Sequence, residues 1–176
     1  MKSKLIQKTG ISMLLMGFVV LFSGCPFSGS VPIDNGTVAI ADQLNGEWIK
    51  PTDLTEENPT TYMIRQGDDK YHAVAEKSEY STDDAEYNTT VYNLTFSNVS
   101  GETFMSAQEA GTTTYYYYKF AFNKETKEIS ITEVSDYIKE TFNTSEELKS
   151  FIANYKQLSF FFTNTTDTYQ IRPSDK

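Results

Sequence analysis

Hydrophobic residues in this chain follow two different patterns. Residues 11–22 (ISMLLMGFVVLF) form one apolar run of 12, whereas beyond residue 45 apolar and polar residues mostly take turns. Strict alternation is the period of a strand with one buried face. It is clearest in 91–99, where Tyr92, Leu94 and Phe96 interleave with Asn93, Thr95 and Ser97. The same reading predicts strands at 46–50, 62–66, 71–75, 102–108, 112–122, 128–134, 158–163 and 168–172. Gly67-Asp68-Asp69-Lys70 supplies a hairpin turn, and 98–101 and Gly111 supply others. The polar stretch 79–88 reads as a loop. One segment has helical spacing: Leu148, Phe151, Ile152 and Tyr155 recur at i, i+3, i+4 and i+7, behind a capping box with Thr144 as N-cap and Glu147 three residues on. About eight to nine antiparallel strands and one helix over about 145–155 predict a mainly β fold. A closed barrel is the leading architecture; a β-sandwich or an open barrel is the alternative.

The apolar run near the start has a separate meaning. Twelve residues make about 18 Å of helix, short of the roughly 30 Å hydrocarbon core. Lys2, Lys4 and Lys8 precede it, and Phe22-Ser23-Gly24-Cys25 follows. A basic start, a short apolar stretch and small residues before a cut have the layout of a signal peptide. Ser23-Gly24-Cys25 resembles the lipobox of bacterial lipoproteins, with Phe22 in the place of the usual leucine. That resemblance implies cleavage before Cys25, lipid attachment at the Cys25 thiol, and anchoring by more than one acyl chain such as palmitate. Pro26 stands where a retention aspartate would hold a lipoprotein at the inner membrane, which favours the cell outer membrane. The expected organisation is a signal peptide over 1–24, the lipidated cysteine and a flexible tether over 25–41, and a single β-rich domain over 42–176. As a coil, 26–41 would reach about 20–25 Å.

Charge narrows the partners. Three of the 15 basic residues lie before Cys25, so 12 basic residues face 24 acidic ones from there on, a charge of −12. Such a surface repels phosphate backbones and anionic headgroups, so no nucleic-acid partner is expected and the membrane is met through lipid. Cys25 is the only cysteine, which leaves no thiol for an intrachain disulfide or a Cys-based metal site.

Gly46-Glu47-Trp48 at the start of the domain resembles the Gly-X-Trp of the first lipocalin strand. The resemblance implies a calycin barrel of eight strands, with Trp48 at the closed end and an arginine of a late strand, here Arg172, covering it. The order differs from that family, because here the helix precedes the final strands.

Recognisable catalytic chemistry is sparse. His72 is the single histidine and lies in a predicted strand with no nucleophile marked beside it. The acids fall in loops, among them Asp83, Asp84 and Glu86, without the spacing of a calcium loop. No catalytic residue, metal ligand or cofactor is assigned, and the chain is expected not to be an enzyme. Asn-X-Ser/Thr triplets, such as those at Asn88 and Asn143, follow from Asn- and Thr-rich turns. The strongest remaining feature is Tyr115 to Tyr118: on a strand Tyr116 and Tyr118 share a face with Phe120 and Phe122, and Tyr115 and Tyr117 take the other. Two functions follow as expectations. One is an anchored lipocalin-like module for a small apolar or amphipathic ligand. The other is an envelope interaction protein for a protein or glycan partner.

Overall fold

In the alternating segments, each strand pairs with the next in sequence. The computed structural model of the protein describes residues 27–173. The strands are β1 (Ser28–Gly29), β2 (Gly46–Ile49), β3 (Thr61–Gln66), β4 (His72–Ser81), β5 (Glu86–Val99), β6 (Glu102–Glu109), β7 (Tyr115–Asn123), β8 (Glu128–Val134) and β9 (Phe162–Ile171), with α1 (Ser145–Tyr155) before β9. From β2 to β9 every neighbour pair is antiparallel, and β9 returns to β2 through Trp48 opposite Ile171 and Ile49 opposite Gln170. The result is a closed eight-stranded antiparallel barrel with β1 outside it and one helix, which excludes the open barrel and the sandwich. Closure leaves no strand of the ring without a partner on either side.

The β5–β6 hairpin shows how local sequence sets register. Val99 pairs with Glu102, and Ser100 and Gly101 between them have φ of 51° and 87°. A two-residue turn of this hand needs positive φ at both positions, which glycine supplies without strain.

Three expectations about elements change. Residues 79–88 are a hairpin that extends β4 and β5 beyond the rim, with Tyr80 opposite Tyr87 and their rings 5.4 Å apart. Of the two strands expected at 158–163 and 168–172, residues 158–161 form a turn after α1, and the rest is one strand, β9, uninterrupted through Asn164 to Asp167.

The third change concerns the expected tether. Its residues 27–41 form a strap on the barrel wall: Phe27 is buried and Ile33 is fully so. β8 covers β7 only from Tyr118 onward, so β1 takes the open edge at Tyr115 and Tyr116. The strap then crosses the outer face. Ile33 N–H donates to Ser106 Oγ at 3.1 Å, and Tyr117 Oη donates to the Val31 carbonyl at 2.6 Å. Asp34 accepts from Ser97 Oγ at 2.5 Å, from Gly36 N–H at 2.8 Å and from Lys149 Nζ at 2.5 Å. Burial opposes the charge on Asp34, but the bonds from Lys149, Ser97 and Gly36 hold its carboxyl below the usual range.

Two cores result. One fills the barrel floor; the other lies outside, where Leu148 and Ile152 of α1 close over Phe104, Tyr117, Val134 and the strap residues Phe27 and Ile33. The helix starts as its sequence predicts: Thr144 Oγ1 accepts from Glu147 N–H at 3.2 Å, and Glu147 Oε2 accepts from Thr144 N–H at 3.3 Å. Its far end is held by Lys156, whose ammonium donates to the carbonyls of Val99 and Ser100 and pairs with Glu102.

Candidate functional site

The parity of each strand decides what the barrel contains. On β7, Tyr116, Tyr118, Phe120 and Phe122 point inward, and Tyr117 is buried outside against Phe27 at 5.4 Å between ring centroids. The four consecutive tyrosines therefore divide between the two cores as their spacing predicts. β4 and β6 contribute Ala73, Ala75 and Ala107 to the interior. These methyl groups are too short to meet the residues opposite, so the barrel is not filled. A cavity of about 760 Å³ remains.

Its floor is apolar and aromatic. Chain entering β2 makes a 3₁₀ turn, Ala41–Leu44, across one end of the barrel, and Leu44 is fully buried there. Trp48 lies against it, with Phe122 edge-on at 6.2 Å. Phe96 and Phe120 meet edge to face at 5.0 Å. Arg172 does not cover the indole as expected. Ile171 lies opposite Trp48, so Arg172 is one residue out of phase with it. Its guanidinium instead donates to Glu47 Oε1 at 2.9 Å, and its N–H to the Glu47 carbonyl.

The other end is open and polar. Tyr62, Lys77, Tyr92, Glu109, Tyr116, Glu133 and Asp167 line the upper cavity, and Ser28 of the strap joins them. Lys77 is paired with Glu79 at 2.6 Å, and Asp167 with Lys50 at 2.8 Å. Glu109 and Glu133 form no ion pair among the described residues. Burial pushes the Glu133 carboxyl above its ordinary range, with the charges of Asp167 and Asp136 adding to it. Burial also raises the Tyr118 and Tyr169 hydroxyls well above the usual tyrosine range, so both stay neutral. Burial works against the Lys77 charge, but Glu79 and the tyrosines Tyr62 and Tyr92 keep its ammonium above the ordinary value.

Other residues singled out by sequence lie elsewhere. Cys25 is outside the described residues. His72 is half-buried in β4, opposite Thr95, with Nδ1 2.8 Å from Asp69 Oδ1. Asp83, Asp84 and Glu86 sit on the exposed rim hairpin, where Ser81 Oγ donates to Asp84 Oδ2 at 2.9 Å. No group of three or more His, Cys, Asp or Glu among the described residues is placed to hold a metal ion. The sequence does not mark Lys77, Glu109 and Asp167, which fall just outside the expected strands 71–75, 102–108 and 168–172, and Glu133 reads as part of the solvent face of 128–134. The signal was their parity: Lys77 is in phase with Ala73 and Ala75, and Glu133 with Ile129 and Ile131. Comparison with protein-family models, curated proteins and solved structures finds no match to this chain.

Proposed function

We propose that this chain is a bacterial lipoprotein, anchored through lipid on Cys25, whose lipocalin-like barrel binds a small apolar or amphipathic ligand without catalysing a reaction on it. One observation carries the ligand reading: a cavity of about 760 Å³ with an aromatic and aliphatic floor and a mouth of tyrosines and charges. Small-molecule sites occupy roughly 300–1,000 Å³, are largely apolar, and hold a few placed polar groups. Up-and-down barrels of eight strands suit this use because small inward residues leave room that closure then shields from water.

The anchor reading rests on the signal-peptide pattern and Cys25. Mass spectrometry of the mature N-terminus tests it; an unmodified Cys25 refutes lipidation. The strap adds a spatial consequence. Ser28 lines the cavity, and Cys25 is three residues before it. Extended chain covers at most about 3.6 Å per residue, so an anchor on Cys25 would be separated from Ser28 by at most about 11 Å. A ligand passing between bilayer and cavity then has a short path.

Native mass spectrometry of the protein extracted from its membrane tests the ligand reading. A copurifying small molecule, lost when the cavity is filled by mutation, is the expected result. The second reading, a protein or glycan partner, is favoured by Tyr137, Leu158 and Phe160, which are exposed large hydrophobic residues outside the barrel wall. A stoichiometric protein partner in a pulldown, with an empty cavity, would decide for it.

A further inference from the structure

The two carboxylates without partners at the mouth point to the polar end of the ligand. Among the residues lining the cavity are one lysine, Lys77, and three acids, Glu109, Glu133 and Asp167. Glu79 occupies Lys77 and Lys50 occupies Asp167. Glu109 and Glu133 remain, each inward-facing, Glu109 opposite Tyr92 and Glu133 opposite Tyr118. We propose that the cavity takes an amphipath whose head is a positively charged amine, drawn to the mouth by the carboxylates of Glu133 and Glu109 and by the faces of the mouth tyrosines. This deepens the ligand-binding reading and rests on it.

Three physical arguments favour an ammonium over other heads. First, an anionic head would meet three carboxylates and a lysine that already holds Glu79, so its desolvation would go uncompensated. Second, tyrosine rings attract cations through their faces, and Tyr62, Tyr92, Tyr116 and Tyr118 all border the upper cavity. Third, burial disfavours the charge on Glu133 in the empty barrel, and an adjacent ammonium would relieve that. The charge of −12 from Cys25 onward also draws cations toward the protein. The apolar tail of such a ligand would run down to Leu94, Phe96, Met105 and Phe120.

The test uses the mature chain, 25–176 with Cys25→Ser, which needs no detergent. Three probes share a twelve-carbon tail and differ only in the head: dodecylammonium, dodecanol and dodecanoate, each below its micelle concentration and titrated by calorimetry. The amine should bind about tenfold or more tighter than the alcohol, and the carboxylate weakest. Glu133→Gln and Glu109→Gln should each reduce the amine's advantage, and the double variant should remove most of it, while the alcohol's affinity stays in place and circular dichroism confirms the fold. Added salt should narrow the gap between amine and alcohol. Equal binding of amine and alcohol, or tighter binding of the carboxylate, overturns the inference and leaves the ligand reading standing. Failure of all three probes overturns both.

Discussion

Trp48 donates its indole N–H to the main-chain oxygen of Leu44 at 2.8 Å, and both residues are almost entirely buried. The bond ties the first full strand of the barrel to the turn that closes its floor. Trp48→Phe keeps an aromatic ring but leaves the Leu44 carbonyl without its buried donor. Such orphaned groups cost about 1–3 kcal/mol. Trp48→Ala adds a cavity, for about 3–5 kcal/mol in all. Urea unfolding should rank wild type above Trp48→Phe above Trp48→Ala; equal midpoints for the first two would mean that the indole bond contributes nothing to closure.

Ile33 distinguishes a strap from a tether. It is fully buried in the outer core, and its N–H reaches Ser106. Ile33→Ala should destabilise the protein by about 2–4 kcal/mol, as for other buried isoleucines. A free tether residue would move stability by no more than about 0.5 kcal/mol. The same unfolding experiment decides between them.

The barrel was legible where one strand face is buried and the other wet. Tyr92, Leu94 and Phe96 announce β5, and the capping box at Thr144 announces α1 within a residue. Legibility failed where that contrast fails. The rim hairpin meets water on both faces, so only the pair Tyr80 and Tyr87 marks it. The strap is Pro- and Gly-rich because it follows a curved wall through side-chain bonds to Asp34 and Ser106, with a two-residue strand and no longer period to detect. The cavity was invisible for a related reason. An interior lysine or glutamate looks like a surface residue until strand pairing shows that it shares a face with Ala75 or Ile131.

Acid should weaken the fold through groups whose sign is opposite to that of Glu133. Hydrogen bonds from Lys149, Ser97 and Gly36, acting against burial, hold Asp34 below the ordinary range. Those from Lys119 and Lys156 do the same for Glu102. A depressed folded-state pKa contributes stability that is present above the unfolded value, about 4, and is lost as pH falls through the folded value. Stability should therefore drop below about pH 4, less steeply in Asp34→Asn. Glu133 is raised, so it takes stability away as pH rises from its unfolded value through its folded one. Glu133→Gln should stabilise the empty protein at pH 7. Urea titrations between pH 3 and pH 8 check both signs; a Glu133→Gln variant less stable than wild type at pH 7 would contradict the second.

Filling the barrel should separate binding from folding. Ala75 and Ala107 are buried, and their methyl groups border empty space. Phenylalanine at either position should project into that space. Overpacking normally costs about 1–3 kcal/mol, but here the added ring finds room. Ala107→Phe should hold or raise the thermal midpoint while abolishing fluorescence enhancement of an apolar dye. A dye signal unchanged by both variants would place the dye outside the barrel.

The strap also predicts where the barrel stands relative to a bilayer. With lipid on Cys25, Ser28 is three residues from the anchor, and Ser28 faces Tyr116 at the cavity rim. Such an anchor would hold the rim within about 11 Å, whereas Trp48 lies at the opposite, closed end. Brominated lipids quench indoles at the bilayer surface, and Trp48 is the only tryptophan. In proteoliposomes of the lipidated chain, Trp48 should be quenched little. A Trp48→Phe, Tyr116→Trp double variant, which moves the indole to the rim, should be quenched strongly. Detaching the anchor by Cys25→Ser should abolish the difference. Equal, weak quenching at both positions in the lipidated chain would mean that the strap is released from β7 on the membrane and serves as a tether after all.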